Sequence, residues 1–253
     1  GVWHKRDIDE VRGLMWEFIE HHADKAASQR SVNSIMDAVM TLRTWRRAAA
    51  EMNADPYLVN CKNGVVDLRT QELHKHDRAY LQTVQRPFEF DAEAVCPQWL
   101  SFLQQVMVTA EGQFDPSLAA ILQEFFGLCL VPETRTQKAA VWIGEGSNGK
   151  GVATDILTAL VGEENKVAID LTQMSHPYNL ASLRDKLLAV ASEVPTRALV
   201  EDAAFKAVVA GDPVAARLPH GHPFTYKPFA RFLITCNNFP STRDATYAFF
   251  RRL

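Results

Sequence analysis

The chain has 253 residues, of which 47% are hydrophobic and 23% charged, and its formal net charge is −3. This composition excludes disorder over most of the chain, because disordered proteins combine low hydrophobicity with high net charge. The longest apolar runs fall far short of the roughly 20 residues that cross a bilayer, so we expect no membrane contact. The four cysteines lack zinc-ligand spacing, which predicts reduced thiols in an intracellular protein.

The first 55 or so residues predict helices. Apolar residues between Ile8 and Ile19 recur at the three- and four-residue spacing of one helical face. A similar pattern runs from Ser34 to Ala50 and ends before Pro56. The N-terminal part is therefore expected to be mainly helical.

A small β element follows the helices. Asn63-Gly64 is a strong turn signal because both residue types accept positive φ. It separates the strand candidates 57–59 and 65–68, and a third candidate covers 72–74. This pattern predicts a small antiparallel element.

Two more helices are predicted before the sequence pattern changes to apolar strands. One begins at Pro97 and the other covers about 116–130. Pro132 and the polar run 133–137 mark the best domain boundary. We therefore predict a mainly helical N-terminal domain with a small β element over 1–135 and a second domain over 136–253.

The second domain predicts an α/β fold with a parallel sheet. Its strand candidates are apolar throughout, and helical segments lie between them. Such strands are typical of a parallel sheet covered by helices on both faces. The candidates are 139–143, 167–169, 187–191 and 232–235.

A glycine-rich loop joins the first of these strands to a predicted helix over 152–161. Residues 144–150 fit the pattern G-x-x-x-x-G-K, in which backbone N–H groups, a helix N-terminus and the lysine bind phosphate. The alternative is a glycine-rich turn without a ligand. The predicted phosphate-binding residues are Gly144, Glu145, Gly146, Ser147, Asn148, Gly149, Lys150, Gly151 and Val152.

One residue departs from this pattern. Gly151 follows the lysine, where Ser or Thr normally supplies a hydroxyl to Mg²⁺. Either water fills that coordination position or another hydroxyl, such as that of Thr154, replaces it. Mg²⁺ keeps several waters in most protein sites, so the change need not abolish binding.

Polar residues follow two later strands and close the chain. Glu193 is placed to hold Mg²⁺ through water or to orient an attacking water, and Asn237 to hold that water and sense the terminal phosphate. Arg251 and Arg252 are candidates for neutralising charge in phosphoryl transfer at a neighbouring subunit. The alternatives are ordinary strand-end residues and a surface arginine pair.

A hairpin is predicted over residues 215–227, with its turn at 219–223. Arg217, His220, His222 and Lys227 would present positive charge and hydrogen-bond donors there. Such a tip suits DNA phosphates irrespective of base sequence. The alternative is a surface loop without a ligand.

The distribution of charge favours such a contact more than the total does. Residues 205–253 hold seven Lys and Arg against two acidic residues, a net +5, so the remainder of the chain carries −8. The total of −3 excludes a uniformly basic DNA-coating protein. It leaves open DNA binding by the C-terminal segment.

These motifs in this order resemble the superfamily 3 helicases, an AAA+-like branch of ATPases. The chain is particularly similar to the helicase part of phage- and plasmid-type primase–helicases, the group with satellite-phage and poxvirus relatives. The resemblance covers about residues 50–253. Besides the loop, it includes residues 60–68, His76, 91–99, 205–206, 210–213, 224–228, 237–240 and 244–252.

The resemblance implies an ATP-dependent DNA helicase or translocase in the replication of a phage or mobile element. Residues 136–253 would form a P-loop AAA+-like ATPase core, which in this family continues beyond Leu253. Lys150 and its loop would bind ATP, Glu193 would be the acidic Walker-B residue beside Mg²⁺, and Asn237 would be the sensor. Arg251 or Arg252 would be an arginine finger acting in trans.

The resemblance also implies partners. These are single-stranded or forked DNA, further copies of the chain in a hexameric ring, and a primase domain or primase partner. Residues 212–231 would hold the hairpin that meets DNA in the channel of the ring. The expected location is the cytoplasm of a bacterial host or an equivalent intracellular replication site.

Two other functions stay open at this point. One is an ATPase-weak DNA-binding or assembly module of the same replication system, which Gly151 favours. The other is a P-loop small-molecule kinase, against which the hairpin, Asn237 and the paired arginines argue.

Overall fold

The computed structural model describes residues 2–3, 6–23, 26–41, 51–146, 148–194, 200, 202–242 and 246–253. Its helices are α1 (Ile8–His22), α2 (Gln29–Thr41), α3 (Pro97–Val106), α4 (Pro116–Cys129), α5 (Lys150–Val161), α6 (Pro177–Ser182), α7 (Asp202–Ala210) and α8 (Tyr247–Phe250). Its strands are β1 (Leu58–Cys61), β2 (Gly64–Asp67), β3 (Glu72–His74), β4 (Ala140–Ile143), β5 (Lys166–Ala168), β6 (Leu188–Ala191), β7 (Val214–Arg217), β8 (Pro223–Tyr226) and β9 (Arg231–Cys236).

The chain forms two compact units. One comprises residues 1–55 and 77–83, and the other comprises residues 56–76 and 84–253. None of the described helices is long and apolar enough to cross a membrane.

The first unit contains the two predicted N-terminal helices. Helix α1 begins after Asp7, whose carboxylate caps it by accepting a backbone N–H from its first turn. The second helix starts at Gln29, earlier than predicted, and is described as far as Thr41; the rest of its predicted length lies outside the described residues. The two helices pack through the buried side chains Ile19, Val32 and Met36.

The predicted small β element is an antiparallel sheet in the order β1-β2-β3. Its first strand extends two residues past the predicted end because Cys61 pairs with Gly64 across the turn. His76 Nε2 lies 2.8 Å from the carbonyl oxygen of Cys61 and 3.1 Å from Asn60 Oδ1, and it donates to both acceptors. His76, which the resemblance includes, therefore fastens the end of this sheet to its first strand.

The second unit also contains a four-stranded parallel sheet in the order β4-β9-β6-β5. Its central strands, β6 and β9, are buried along their whole length. Alternate residues of one strand point to opposite faces. Thus Ala189 and Phe232 pack with α6 and α7, whereas Leu188 and Leu233 pack with α3, α4 and α5. The predicted α/β class, with helices on both faces of a parallel sheet, is confirmed.

The predicted domain boundary near residue 135 stays a prediction, and the compact units divide the chain elsewhere. Helices α3 and α4 precede that boundary but share one hydrophobic core with the sheet. In this core Leu103 and Phe126 pack with Leu157 of α5 and with the central strands.

Candidate functional site

The candidate site lies at the carboxyl edge of the parallel sheet. Parallel strands bring their carboxyl ends to the same edge, which is where open α/β sheets bind ligands. The glycine-rich loop follows β4 and Glu193 follows β6, while Asn237 follows β9, the strand between those two. Three segments that are distant in the sequence therefore meet around one cavity.

This cavity has a volume of about 550 Å³. It is lined by Phe102, Gln105, Val106, Gly146, Asn148, Gly149, Lys150, Gly151, Val152, Glu193, Thr235, Cys236 and Asn237. Of the other predicted loop residues, Gly144 and Glu145 do not line the cavity, and Ser147 lies outside the described residues. The roles predicted for these residues stay predictions.

Two glycines of the loop occupy positions where a side chain would not fit. Gly149 has a φ of +85°, and a Cβ there would lie 2.9 Å from Cζ of Phe102 and 3.0 Å from Cγ1 of Val106. A Cβ on Gly144 would overlap the side-chain amide of Asn148. The loop thus folds tightly back on itself and against helix α3. The left-handed backbone at Gly149 favours glycine, whereas a side chain at position 144 would require Asn148 to move.

The side chain of Lys150 folds back over the loop that precedes it. Its ammonium group donates to the carbonyl oxygen of Gly144, to that of Glu145 at 3.0 Å and to Asn148 Oδ1 at 2.8 Å. All three acceptors are neutral, so phosphate oxygens would be stronger partners for the same charge. Lys150 is also the first residue of α5, and the N–H groups of a helix N-terminus favour anions.

The position after the lysine is open. A Cβ on Gly151 would meet no atom within 4 Å, and the backbone there is not in the left-handed region. The hydroxyl of Thr154 donates to the carbonyl oxygen of Lys150 at 2.8 Å, and this residue does not line the cavity. Of the two alternatives for Mg²⁺, this geometry favours water over Thr154.

Glu193 has an unusual backbone conformation and is hydrogen-bonded to strand β9. Its φ is +51°, although it is not a glycine, and its side chain is exposed. Its N–H donates to Thr235 Oγ1 at 3.4 Å, and the N–H of Val194 donates to the carbonyl oxygen of Thr235 at 3.1 Å. Residues held in sparsely populated conformations cluster at functional sites.

Thr235 and Cys236 also line the cavity, and sequence reasoning assigned neither of them a role. Thr235 resembles any β-branched strand residue, so its sequence context carries no sign of its contact with Glu193. Burial raises the pKa of the Cys236 thiol, and the nearby Lys150 opposes that change. At neutral pH the thiol is therefore protonated and acts as a small apolar lining group.

One wall of the cavity comes from helix α3, far upstream in the sequence. Phe102, Gln105 and Val106 lie on this wall. Their spacing predicts a helix but gives no information on what the helix covers. The ring of Phe102 stacks on Trp99 at a centroid distance of 5.3 Å, and Trp99 lies 5.8 Å from Phe126.

The two C-terminal arginines lie in different environments. Arg252 is buried, and its guanidinium donates to the carbonyl oxygen of Ala248. Arg251 is exposed and donates to Gln137 Oε1 at 3.1 Å. The carbonyl oxygen of Arg252 accepts the N–H of Ala139, just before β4, so this pair lies at the end of the strand opposite the cavity.

The predicted hairpin consists of β7 and β8 paired antiparallel. Its base is anchored by the buried side chains of Val214 and Ala216 and by the hydroxyl of Tyr226, which donates to the carbonyl oxygen of Leu180. Its turn covers residues 218–222. The four predicted DNA-contacting side chains are all exposed, but they do not all lie at the turn. Arg217, His220 and His222 lie in or beside it, whereas Lys227 follows Tyr226, which pairs with Val214 at the base of the hairpin.

Within the described part of the chain, no cluster of three or more His, Cys, Asp or Glu could hold a metal ion. Mg²⁺ bound with a nucleotide usually takes one or two carboxylates, phosphate oxygens and waters. Glu193 at the cavity fits that smaller donor set.

Comparisons with known proteins divide the chain into two matched parts. Residues 2–108 match the family described as "D5 N terminal like", and residues 142–252 match a family of unknown function, DUF5906. No curated protein matches the chain. Each of the two family models covers less than half of the chain.

Solved structures of the NrS-1 C-terminal region resemble this chain. The A-form apo structure has a TM-score of 0.52 at 16% identity, over 86% of this chain and 50% of that chain. Another apo structure of the region has a TM-score of 0.46 at 17% identity, over 58% of this chain and 35% of that chain. At such identity the first likeness shows a shared fold, and the chain spans half the length of that structure.

Proposed function

We propose that this chain is the ATP-dependent motor of a phage- or mobile-element-type replication primase–helicase. In this proposal it has a superfamily 3, AAA+-like core and translocates on DNA or unwinds it. One observation carries the proposal: the glycine-rich loop, Glu193 and Asn237 follow three different strands and line the same cavity. Phosphoryl transfer needs a phosphate cradle, a carboxylate and a group that positions water, and these are the three parts brought together.

In this proposal the loop and the two strand-end residues have different roles in ATP hydrolysis. Lys150 and the backbone N–H groups of the loop bind the β- and γ-phosphates. Glu193 holds Mg²⁺ through water or orients the attacking water, and Asn237 holds that water beside the terminal phosphate. Mg²⁺, when bound, neutralises charge on the phosphate oxygens.

The positions of the arginines support a site shared between neighbouring copies. Arg251 lies at the end of β4 opposite the cavity of its own chain, so it is poorly placed to reach the same chain's phosphates. In a hexameric ring an exposed arginine serves the site of the next subunit. The exposed hairpin would then line the channel, with Arg217, His220, His222 and Lys227 towards DNA phosphates.

The deciding experiment measures Mg²⁺-dependent ATP hydrolysis with and without single-stranded DNA, on a sample whose mass in solution is known. We expect hydrolysis that DNA stimulates. The variant Glu193→Gln should still bind ATP but lose at least about 100-fold in turnover, because an amide cannot act as a base. Full hydrolysis by that variant would remove Glu193 from the mechanism.

A second candidate function is an ATPase-weak DNA-binding or assembly module of the same replication system. Gly151 favours it, because the residue after Lys150 normally supplies a hydroxyl to Mg²⁺ and glycine has none. Gly151→Ser separates the two candidates, since the position has room for a side chain. If the natural chain binds DNA without hydrolysing ATP, and Gly151→Ser restores hydrolysis, the second candidate is correct.

A further inference from the structure

The wall formed by helix α3 combines apolar surface with one amide. Phe102 and Val106 contribute apolar atoms next to Gly149, and Gln105 contributes the amide. Pockets for small ligands commonly pair apolar walls with a few polar groups that fix orientation. Much of the rest of the cavity instead presents backbone, polar and charged groups, from the glycines, Lys150, Glu193 and Asn237.

The orientation of a bound nucleotide follows from the charged groups. Glu193 and Asn237 mark the end at which the terminal phosphate lies under the proposed function. The sugar and base must then extend the other way, past the start of α5 at Gly151 and Val152. Phe102 and Val106 of the α3 wall lie against Gly149, directly before the start of α5, and are therefore available to contact them.

We propose that Gln105 recognises the adenine base, with Phe102 and Val106 as the apolar wall beside it; this inference rests on the proposed function. A glutamine amide can pair with adenine in two hydrogen bonds, because Oε1 accepts from the N6 amino group while Nε2 donates to N7. Guanine presents an oxygen in place of the amino group. The Gln105 oxygen would then face another acceptor, so guanine is disfavoured.

Gln105 is free to turn towards a base at little cost. Its side chain is exposed, and the hydrogen bond from its Nε2 to Ser101 Oγ is long, at 3.4 Å. Gln104 is the preceding residue on the same helix and is also exposed, but it does not line the cavity. Gln104 is therefore a matched control for substitutions of Gln105.

The experiment measures the affinities of ATP and GTP, each with Mg²⁺, for the full chain by calorimetry. The natural chain should bind ATP about 10-fold more tightly than GTP, the effect of one good bidentate contact. Gln105→Leu should reduce that ratio to below about 2-fold, mainly by weakening ATP binding. Gln104→Leu should leave the ratio unchanged.

A second variant tests the hydrogen-bond donor. Gln105→Glu keeps the size of the side chain but removes the N–H group that would bind N7, so it should also lose the preference for ATP. Melting curves should match the natural chain for all three variants, because position 105 is an exposed helix position.

The outcomes separate this inference from the proposed function. Equal affinity for ATP and GTP in the natural chain overturns the role of Gln105 and leaves the phosphate site intact. A preference for ATP that survives both Gln105 variants also overturns it. If neither nucleotide binds the natural chain, the proposed function itself fails, and the inference fails with it.

Discussion

The two edges of the parallel sheet use charged residues in opposite ways. At the carboxyl edge Lys150 and Glu193 line an open cavity, and the lysine holds only neutral oxygens of its own loop. At the amino edge Arg231, the first residue of β9, has a side chain that is only 1% exposed and pairs with Glu133 at 3.2 Å. Burial lowers the pKa of Arg231, and Glu133 opposes that change.

The contrast separates charges that serve the fold from charges available to a ligand. A buried charge costs free energy unless the protein supplies its partner, so the amino edge has to satisfy Arg231 internally. At the carboxyl edge solvent access removes that requirement, and the cavity is left able to exchange its internal hydrogen bonds for those of a ligand. We therefore expect substitution of a buried charge at the amino edge, such as Arg231, to change stability. Substitution of a charge that lines the cavity at the carboxyl edge should change activity.

The largest expected effect is that of Lys150→Ala at the carboxyl edge. Loss of the ammonium removes the charge that binds the phosphates, so ATP hydrolysis should fall to background while the melting temperature changes little. The matched control is Lys166→Ala at the start of β5, whose ammonium pairs with Glu163 on the surface. That variant should retain hydrolysis, and DNA-stimulated hydrolysis at the full rate in Lys150→Ala would refute the assignment.

Both C-terminal arginines lie at the amino edge, and their effects should divide by burial, since Arg251 is exposed and Arg252 is buried. Arg251→Ala should lower turnover by about 1,000-fold without loss of nucleotide binding, as removal of an arginine finger does. Arg252→Ala should lower the melting temperature instead, because this side chain is buried. Mixing Arg251→Ala with Lys150→Ala protein should restore some hydrolysis if the arginine acts on a neighbouring copy. An absence of restoration at concentrations where the proteins assemble would argue against action in trans.

Arg231→Met tests the amino edge directly. Loss of this charged hydrogen bond should lower the free energy of unfolding by about 1.5–3 kcal/mol, measured by urea denaturation, since Glu133 keeps its pair with Arg135. Nucleotide affinity should stay unchanged under conditions where the variant is folded. The double variant Arg231→Met/Glu133→Gln should lose less than the sum of the single changes, because both single changes break the same ion pair.

The smallest effect is expected for Thr235→Val, which changes a cavity residue in contact with the backbone of Glu193. The change keeps the shape of the side chain but removes the acceptor for the Glu193 N–H. We expect kcat to fall about 5- to 10-fold with less than a 2-fold change in KM for ATP, because a misplaced carboxylate affects the reaction more than binding. Thr235→Ser should restore kcat, whereas an equal loss in Ser and Val variants would indicate a packing role.

Much of the fold follows from local sequence patterns. The turn at Asn63-Gly64, the apolar strands after residue 136 and the hairpin around residue 220 were predictable, since turn chemistry and hydrophobic periodicity depend on neighbouring residues. Strand ends were less accurate, as at Cys61, because the end of a strand depends on its pairing partner.

The glycine-rich loop was predictable as a phosphate-binding candidate because its residues lie next to one another in the sequence. Glu193 and Asn237 were predictable as strand-end residues, but their common cavity depends on the strand order, which places β9 between β4 and β6. Phe102, Gln105 and Thr235 were not predictable as members of the site. Each of them carries ordinary helix or strand signals, and only long-range packing brings them to the cavity.

The sequence by itself determined the types of secondary structure, the phosphate-loop pattern and the basic C-terminal segment, because these features are set by residue type and local spacing. Only the tertiary structure decided which residues share the cavity, which of the two arginines is exposed and which charges are buried. These properties depend on contacts between segments that are tens of residues apart. They follow from how the strands pair and how the helices cover the sheet, and no local pattern encodes them.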